Sequence, residues 1–342
     1  MDRRLRIATL TCCAAAVTLA VTLTGQRAPM TADRTALIVK AAQAVINSLD
    51  EAGKKKVQFA YDDEAQRKRW SNLPGPMVQR DGVRLADLAP SQRETIMKLL
   101  QVALSAEGYR KVVDIMDGDE VLRTQGSGGG KVQFGKEQYW LAFIGTPSTT
   151  TPWMLQFGGH HLAINLTMAG SQATMTPSLP AAQPATYTFE GRTVRPLGKE
   201  NDKAFALVNA LDATQRGRAI LPYRVSDLVL GPGQDGRTIQ PEGVRASSLS
   251  SAQQTMLLDI VREWAGIQND AFAEPRMAEI QTNLPETYFA WSGPTEAGSA
   301  AYFRIQGPTL VIEYAPQGNS VDHIHTIYRD PTNDYGAKFT KK

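Results

Sequence analysis

The chain has 342 residues, 42% hydrophobic and 21% charged, with 37 Lys and Arg against 34 Asp and Glu. That is long and apolar enough for a sizeable core, as one large domain or two lobes. Residues 1–28 hold four arginines and one aspartate, so the remainder carries 33 basic and 33 acidic residues and offers no basic footprint for nucleic acid.

Arg3, Arg4 and Arg6 precede an uncharged run of small and apolar residues from Ile7 to Thr24, with a stretch to Ala28 that can hold a small-residue cleavage site. A membrane-spanning helix needs about 20 predominantly apolar residues, and this run is short and threonine-rich. Residues 1–28 are therefore expected to be a cleaved signal peptide, giving a periplasmic or secreted protein with no stable membrane anchor. Cys12 and Cys13 both lie in that run. The mature chain then has no disulfide, no thiolate nucleophile and no cysteine metal ligand.

Beyond the leader, four short motifs recur in the same order. Asn47-Ser-Leu-Asp50 returns as Asn209-Ala-Leu-Asp212, and Gly82-Val-Arg as Gly243-Val-Arg. Tyr139–Pro147 returns as Tyr288–Pro294, and Phe157–Asn165 as Ile305–Glu313, the four offsets being 162, 161, 149 and 148. An internal duplication is expected, with unit one over 29–177, a link over 178–200, unit two over 201–337 and a basic tail over 338–342.

Each unit has the same plan. Helices are expected over 35–49, 95–105 and 108–122, then 202–218, 255–265 and 270–282. In 95–105, Ile96, Leu99, Leu100 and Ala103 recur at helical spacing and mark a core face. Strands follow over 139–144, 153–157 and 162–167, then 288–291, 301–305 and 309–314. The expected class is α+β: two tandem duplicated units, each with helices followed by a short antiparallel sheet, packed as a pseudo-twofold pair. Residues 126–131, 178–184 and 231–236 read as loops, and Gly126–Lys131 lacks the Gly-x4-Gly-Lys-Ser/Thr spacing of a phosphate loop. Asp62, Asp63, Arg67, Arg69 and Trp70 form a polar-aromatic cluster, read as a packed tryptophan with solvated charges.

All four histidines fall in two pairs, His160-His161 and His323-Ile-His325. Imidazole is the commonest metal ligand and titrates near neutrality. In 310–314, alternation puts Leu310 and Ile312 on the core face and Glu313 on the other. A turn over 316–320 that pairs Ala315 with Val321 sets Glu313 opposite His323 and leaves both histidines of 323–325 on its face. Asp322 then falls on the core side. Alignment of the units puts His161 and Asn165 on the corresponding face, with His160 turned away. His161, His323, His325 and Glu313 are the expected ligands of a divalent metal: zinc, or copper or iron with an open position. In Arg329-Asp330-Pro-Thr-Asn-Asp-Tyr-Gly336, either an ordinary capped turn forms, or Arg329 binds a substrate carboxylate while Asp330 orients a histidine. Asn333, Asp334 and Tyr335 are supporting candidates, with His160 and Asn165.

Trp70-Ser-Asn-Leu-Pro, Gly82–Gln92, Gly159-His-His-Leu and His323–Gly336 resemble the exported proteins of domain-of-unknown-function family 3500, over about residues 37–337. The resemblance supports the choice of residues and implies no reaction. It also implies a larger, often acidic residue where this chain has Gly158.

Three functions compete. The first is a metal-dependent hydrolase acting on a small molecule, with Glu313 as ligand or base and Arg329 and Asp330 assisting. The second is a non-catalytic protein that binds or delivers metal. The third is a metal-free binder of a small anionic ligand. No Gly-x-Ser-x-Gly elbow and no dinucleotide fingerprint is present.

Overall fold

The computed structural model describes residues 31–126 and 132–340. The expected leader over 1–28 and the glycine run at 127–131 lie outside them. The first half begins with α1 (Thr31–Ser48), α2 (Glu51–Val57), β1 (Gln58–Phe59), α3 (Glu64–Arg67), β2 (Val83–Arg84), α4 (Pro90–Ala103) and α5 (Ala106–Thr124). The strands β3 (Tyr139–Ile144), β4 (Trp153–Gly159), β5 (Leu162–Ala169), β6 (Gln172–Thr174), β7 (Leu179–Pro180), β8 (Tyr187–Phe189) and β9 (Arg192–Val194) follow. The second half has α6 (Gly198–Ala210), α7 (Ala213–Ala219), β10 (Val244–Arg245), α8 (Ser251–Ala265) and α9 (Asp270–Thr282). It ends with β11 (Tyr288–Ser292), β12 (Tyr302–Gly307), β13 (Leu310–Pro316), β14 (Ile324–Arg329) and α10 (Ala337–Thr340). The class is mixed α+β. No helix of the described residues is long and apolar enough to cross a membrane.

The recurring Asn-x-Leu-Asp motif breaks a helix. Asp50 ends the α1 region and caps α2 by accepting from Gly53 N at 2.7 Å. Asp212 accepts from Gln215 N at 2.8 Å, while Gln215 Oε1 accepts from Asp212 N at 3.0 Å. This reciprocal capping box splits the helix expected over 202–218 into α6 and α7. The same device explains why α8 starts at Ser251: Ser250 and Gln253 cap each other.

Strands β3, β4 and β5 form an antiparallel meander, as do β11, β12 and β13. One face of each sheet lies under helices. Ile38 and Val45 of α1 and Ile96, Leu99 and Leu100 of α4 pack on Phe157, Leu162, Ile164 and Leu166. In the second half, Leu257, Ile260 and Trp264 of α8 pack on Phe289, Phe303 and Ile312. Each Ile, Leu or Phe removed from water in this way contributes roughly 1.5–3 kcal/mol.

The halves meet along two seams. Ser105 N donates to Ile267 O at 3.0 Å and Asn269 N to Ala103 O at 3.1 Å, between the caps of α5 and α9. The second seam runs through the segment expected from its prolines to be a link. Residues 178–182 are extended: β7 pairs with β5 on one side, while Ser178 bridges Tyr328 and Ala182 bridges Ile324 on the other. Both bridges are reciprocal backbone pairs at 2.8–2.9 Å. This strand joins the two sheets because its backbone groups, buried between them, have no water to bond and must pair. The expected basic tail is helical through Thr340, with Lys338 N donating to Asn333 Oδ1 at 2.9 Å.

Candidate metal centre

His160 and His161 form the two-residue turn of the β4–β5 hairpin, between the paired Gly159 and Leu162. His161 sits at φ 60, a left-handed conformation that histidine adopts more readily than β-branched residues. Its backbone is fastened on both sides: His161 N donates to Asn72 O at 3.2 Å, and Ala181 N donates to His161 O at 2.8 Å. Arg80 adds a clamp, donating to Ser71 O, Leu73 O and Gly159 O at 2.6–2.9 Å. Glycine at 158 is a requirement of this hairpin. A Cβ there would lie 2.5 Å from Leu162 O, so the larger residue expected at this position does not fit.

His323 and His325 flank the start of β14, and Gln317 N donates to His323 O at 2.8 Å. The β13–β14 register differs from the expected one. Ala315 lies opposite His325 and Glu313 opposite Ile327, because a helical turn at Gln317–Asn319 and residues 320–322 lengthen the connection. The shift is even, so Glu313 keeps the expected face but sits farther along the strand.

Three imidazoles converge. His161 Nε2 lies 2.9 Å from His323 Nε2, which lies 3.1 Å from His325 Nε2. One nitrogen from each falls within 4.8 Å of the others. Tetrahedral zinc with Zn–N of 2.0–2.1 Å sets ligand nitrogens about 3.3 Å apart, so the two separations at His323 are near coordination spacing. Without a cation, facing lone pairs at such distances repel unless one nitrogen carries a proton. His325 Nδ1 is 2.9 Å from Asp227 Oδ1, which fixes the proton on Nδ1 and turns the Nε2 lone pair toward the cluster. Asn72 Nδ2 lies 3.2 Å from His325 Nε2.

The electrostatics favour ligand-competent, neutral rings. Burial, then the neighbouring His160, His325 and His323, push His161 well below the ordinary imidazole value. Burial and His325 bring His323 down to about 4. For Asp227, desolvation acts upward, but the His325 hydrogen bond and charge hold the carboxyl below its ordinary range. His161 and His325 are 3–4% exposed, whereas His323 is half-buried and marks the open side.

His160 contributes no nitrogen to the cluster, and it lies in the turn rather than on a strand. It stacks on His161 with ring centres 3.7 Å apart and pairs through Nδ1 with Asp119 Oδ1 at 2.6 Å. Gly135 N holds Asp119 Oδ2 at 2.9 Å. Asp119, Asp227 and Asn72 are the neighbours that sequence reasoning missed. Of these only Asn72 lay in a motif singled out, the Trp70-Ser-Asn-Leu-Pro run.

Glu313 is not among the converging ligand atoms. Its carboxylate accepts from Val229 N, Leu230 N and Tyr302 Oη at 2.8–2.9 Å, which commits it to the backbone of residues 229–230 rather than to the histidines. Asn165 is likewise occupied, donating to Pro177 O at 2.9 Å and accepting from Gln156. Arg329 spends its guanidinium on Leu230 O, Gly231 O, Asp235 and Asp334 at 2.8–3.1 Å, rather than beside the histidines. Asp330 orients no histidine: it accepts from Thr332 and pairs with Arg276 at 3.1 Å. Asn333 caps Lys338, Asp334 also accepts from Asp330 N at 2.9 Å, and Tyr335 Oη donates to Asp235 at 2.9 Å. The capped-turn reading of 329–336 therefore describes this segment. Trp70 is packed, donating Nε1 to Tyr335 Oη at 2.8 Å. Asp322 is exposed and accepts from Ala185 N.

A family model described as "Protein of unknown function (DUF3500)" matches residues 31–337, and the chain belongs to that family. No curated protein and no solved structure matches it.

Proposed function

We propose that this member of the family is an exported metal-dependent hydrolase, its divalent cation held by His161, His323 and His325. The observation that carries the reading is three converging imidazole nitrogens with no further histidine, cysteine or carboxylate in the group among the described residues. Three protein donors and one open position are the pattern of catalytic sites, whereas structural sites are closed by four. Imidazole suits zinc, copper and iron alike. A cation bound there supplies Lewis acidity and makes a water acidic enough to attack near neutral pH. Asp227 holds His325 in the ligating tautomer, His160 and Asp119 brace the ring of His161, and the half-buried side at His323 admits a small substrate.

The test is elemental analysis of untagged protein from its native compartment beside a His323→Ala/His325→Ala double variant. About one equivalent of metal, lost in the variant, is expected for a single site. No metal in either protein, even after reconstitution with zinc, copper and iron, defeats the reading. Ester and phosphate-ester hydrolysis that tracks metal content separates an enzyme from a carrier. The carrier reading has one observation in its favour: cavities of about 470 and 980 Å³ are lined without any histidine.

We also infer that the halves are copies of one duplicated unit packed about a pseudo-twofold axis. The parallel element order, the twin Asp caps and the two reciprocal seams support this. Export rests on the composition of residues 1–28, and the N-terminus of protein recovered outside the cytoplasm tests it.

A further inference from the structure

The largest of these cavities, about 980 Å³, lies away from the histidines, between the Tyr61–Lys68 segment, residues 235–238 and the C-terminal turn. Its size is at the upper end of small-molecule pockets, about 300–1,000 Å³. Pro152, Leu230, Pro331 and Phe339 give it apolar walls.

Its acids are largely spent. Asp235 accepts from Arg329 at 3.0 Å and Tyr335 at 2.9 Å, and Asp334 from Arg329 at 2.9 Å. Glu64 faces Lys68 at 3.3 Å and Arg67 at 3.7 Å, which leaves Asp62 as the one lining carboxylate with no ion pair among the described residues. On the basic side, Arg237 bonds only Val229 O and Gln234 Oε1 and has no ion pair among them. Arg67 is 7% exposed and lies over the Tyr61 ring at 4.5 Å. Both line the cavity, and Arg67 Nε and Tyr61 Oη are buried with no acceptor. A buried donor without a partner is a cost that a bound acceptor relieves.

We propose that this cavity is a second ligand site, independent of the metal centre, for a small organic anion with an apolar body. The apolar walls take the body, and Arg67, Tyr61 and Arg237 take the anionic group. Arg67 Nη2 already donates to Tyr61 O, so Arg67 offers its Nε, whereas Arg237 uses only Nη1 and keeps Nε and Nη2 for two parallel hydrogen bonds to a carboxylate. The Arg329–Tyr335 run serves this site by building its wall.

Titration calorimetry on the full chain with 2-naphthoate, the neutral 2-naphthamide and the cationic 2-naphthylmethylammonium tests the proposal. Saturable 2-naphthoate binding, about tenfold or more tighter than the amide and retained in His323→Ala/His325→Ala, is expected. Arg67→Gln should weaken 2-naphthoate about tenfold while leaving the amide nearly unchanged. If Arg67→Gln does not fold, Arg237→Gln on the rim and Phe339→Asp in the apolar wall replace it, and both should weaken 2-naphthoate. Saturation by none of the three probes, or equal affinity for the anion and the cation, overturns the proposal.

Discussion

His161 Nε2 and His323 Nε2 stand 2.9 Å apart across 162 residues of chain. The contact joins a hairpin tip of the first half to the turn before the last strand of the second. Residues 181 and 182 stitch them together: Ala181 N bonds His161 O, and Ala182 pairs with Ile324. The candidate centre therefore exists only when the halves are docked.

That dependence bears first on metal affinity. Replacing any one of His161, His323 or His325 with alanine should abolish stoichiometric binding. Asp227→Asn should keep the stoichiometry and lower affinity by about 10–100-fold, the usual effect of losing the partner that orients a ligand histidine. Competition against a chelator measures both, and an unchanged affinity in Asp227→Asn would remove that residue from the site.

Stability should depend on pH through His323. Its pKa is about 4 in the fold against 6.5 for an ordinary imidazole. Between those values the unfolded chain binds more protons, so stability of the metal-free protein rises with pH and is lost as pH falls from about 6.5 to about 4. Since the ring is half-exposed, about 1–2 kcal/mol is expected rather than the full shift. Urea denaturation at pH 7 and 4.5 should show a smaller difference in His323→Gln than in the wild type. Added metal should raise the midpoint at pH 7, because a cation that binds only the folded chain stabilises it.

Glu313 supports the fold. Glu313→Gln removes an acceptor from the backbone of Val229 and Leu230 and should destabilise by about 1–3 kcal/mol, with metal content unchanged. A variant that folds normally but loses its metal would return Glu313 to the ligand set.

The proposed duplication makes a paired prediction at Gly82 and Gly243. Their φ values are +116 and +99, and a Cβ at either would collide with a sheet carbonyl, Leu141 O or Phe289 O. Alanine at each should cost about 2 kcal/mol or more, by similar amounts. Denaturation midpoints of the two single variants check this, and a neutral change at one site alone would break the equivalence.

Local patterns in the chain were enough to determine the mixed α+β class, the bounds of α9 and β3, and the core faces of α4 and β13. Helical and strand periodicity reports which side chains share a face, and that information is local. The same patterns singled out His161, His323 and His325. Only the tertiary structure decided what surrounds them. The length of the 316–323 connection has no periodic signature, so the register that carries Glu313 away from His323 could not be read from alternation. Asp227 and Asn72 reach His325 from 98 and 253 residues away, along loops whose paths depend on how the halves dock. Arg329 and Asp330 sit in a run that reads equally well as turn or site. Burial decided between the two: enclosed charges must find partners, and theirs came from Asp235, Asp334 and Arg276 within the fold.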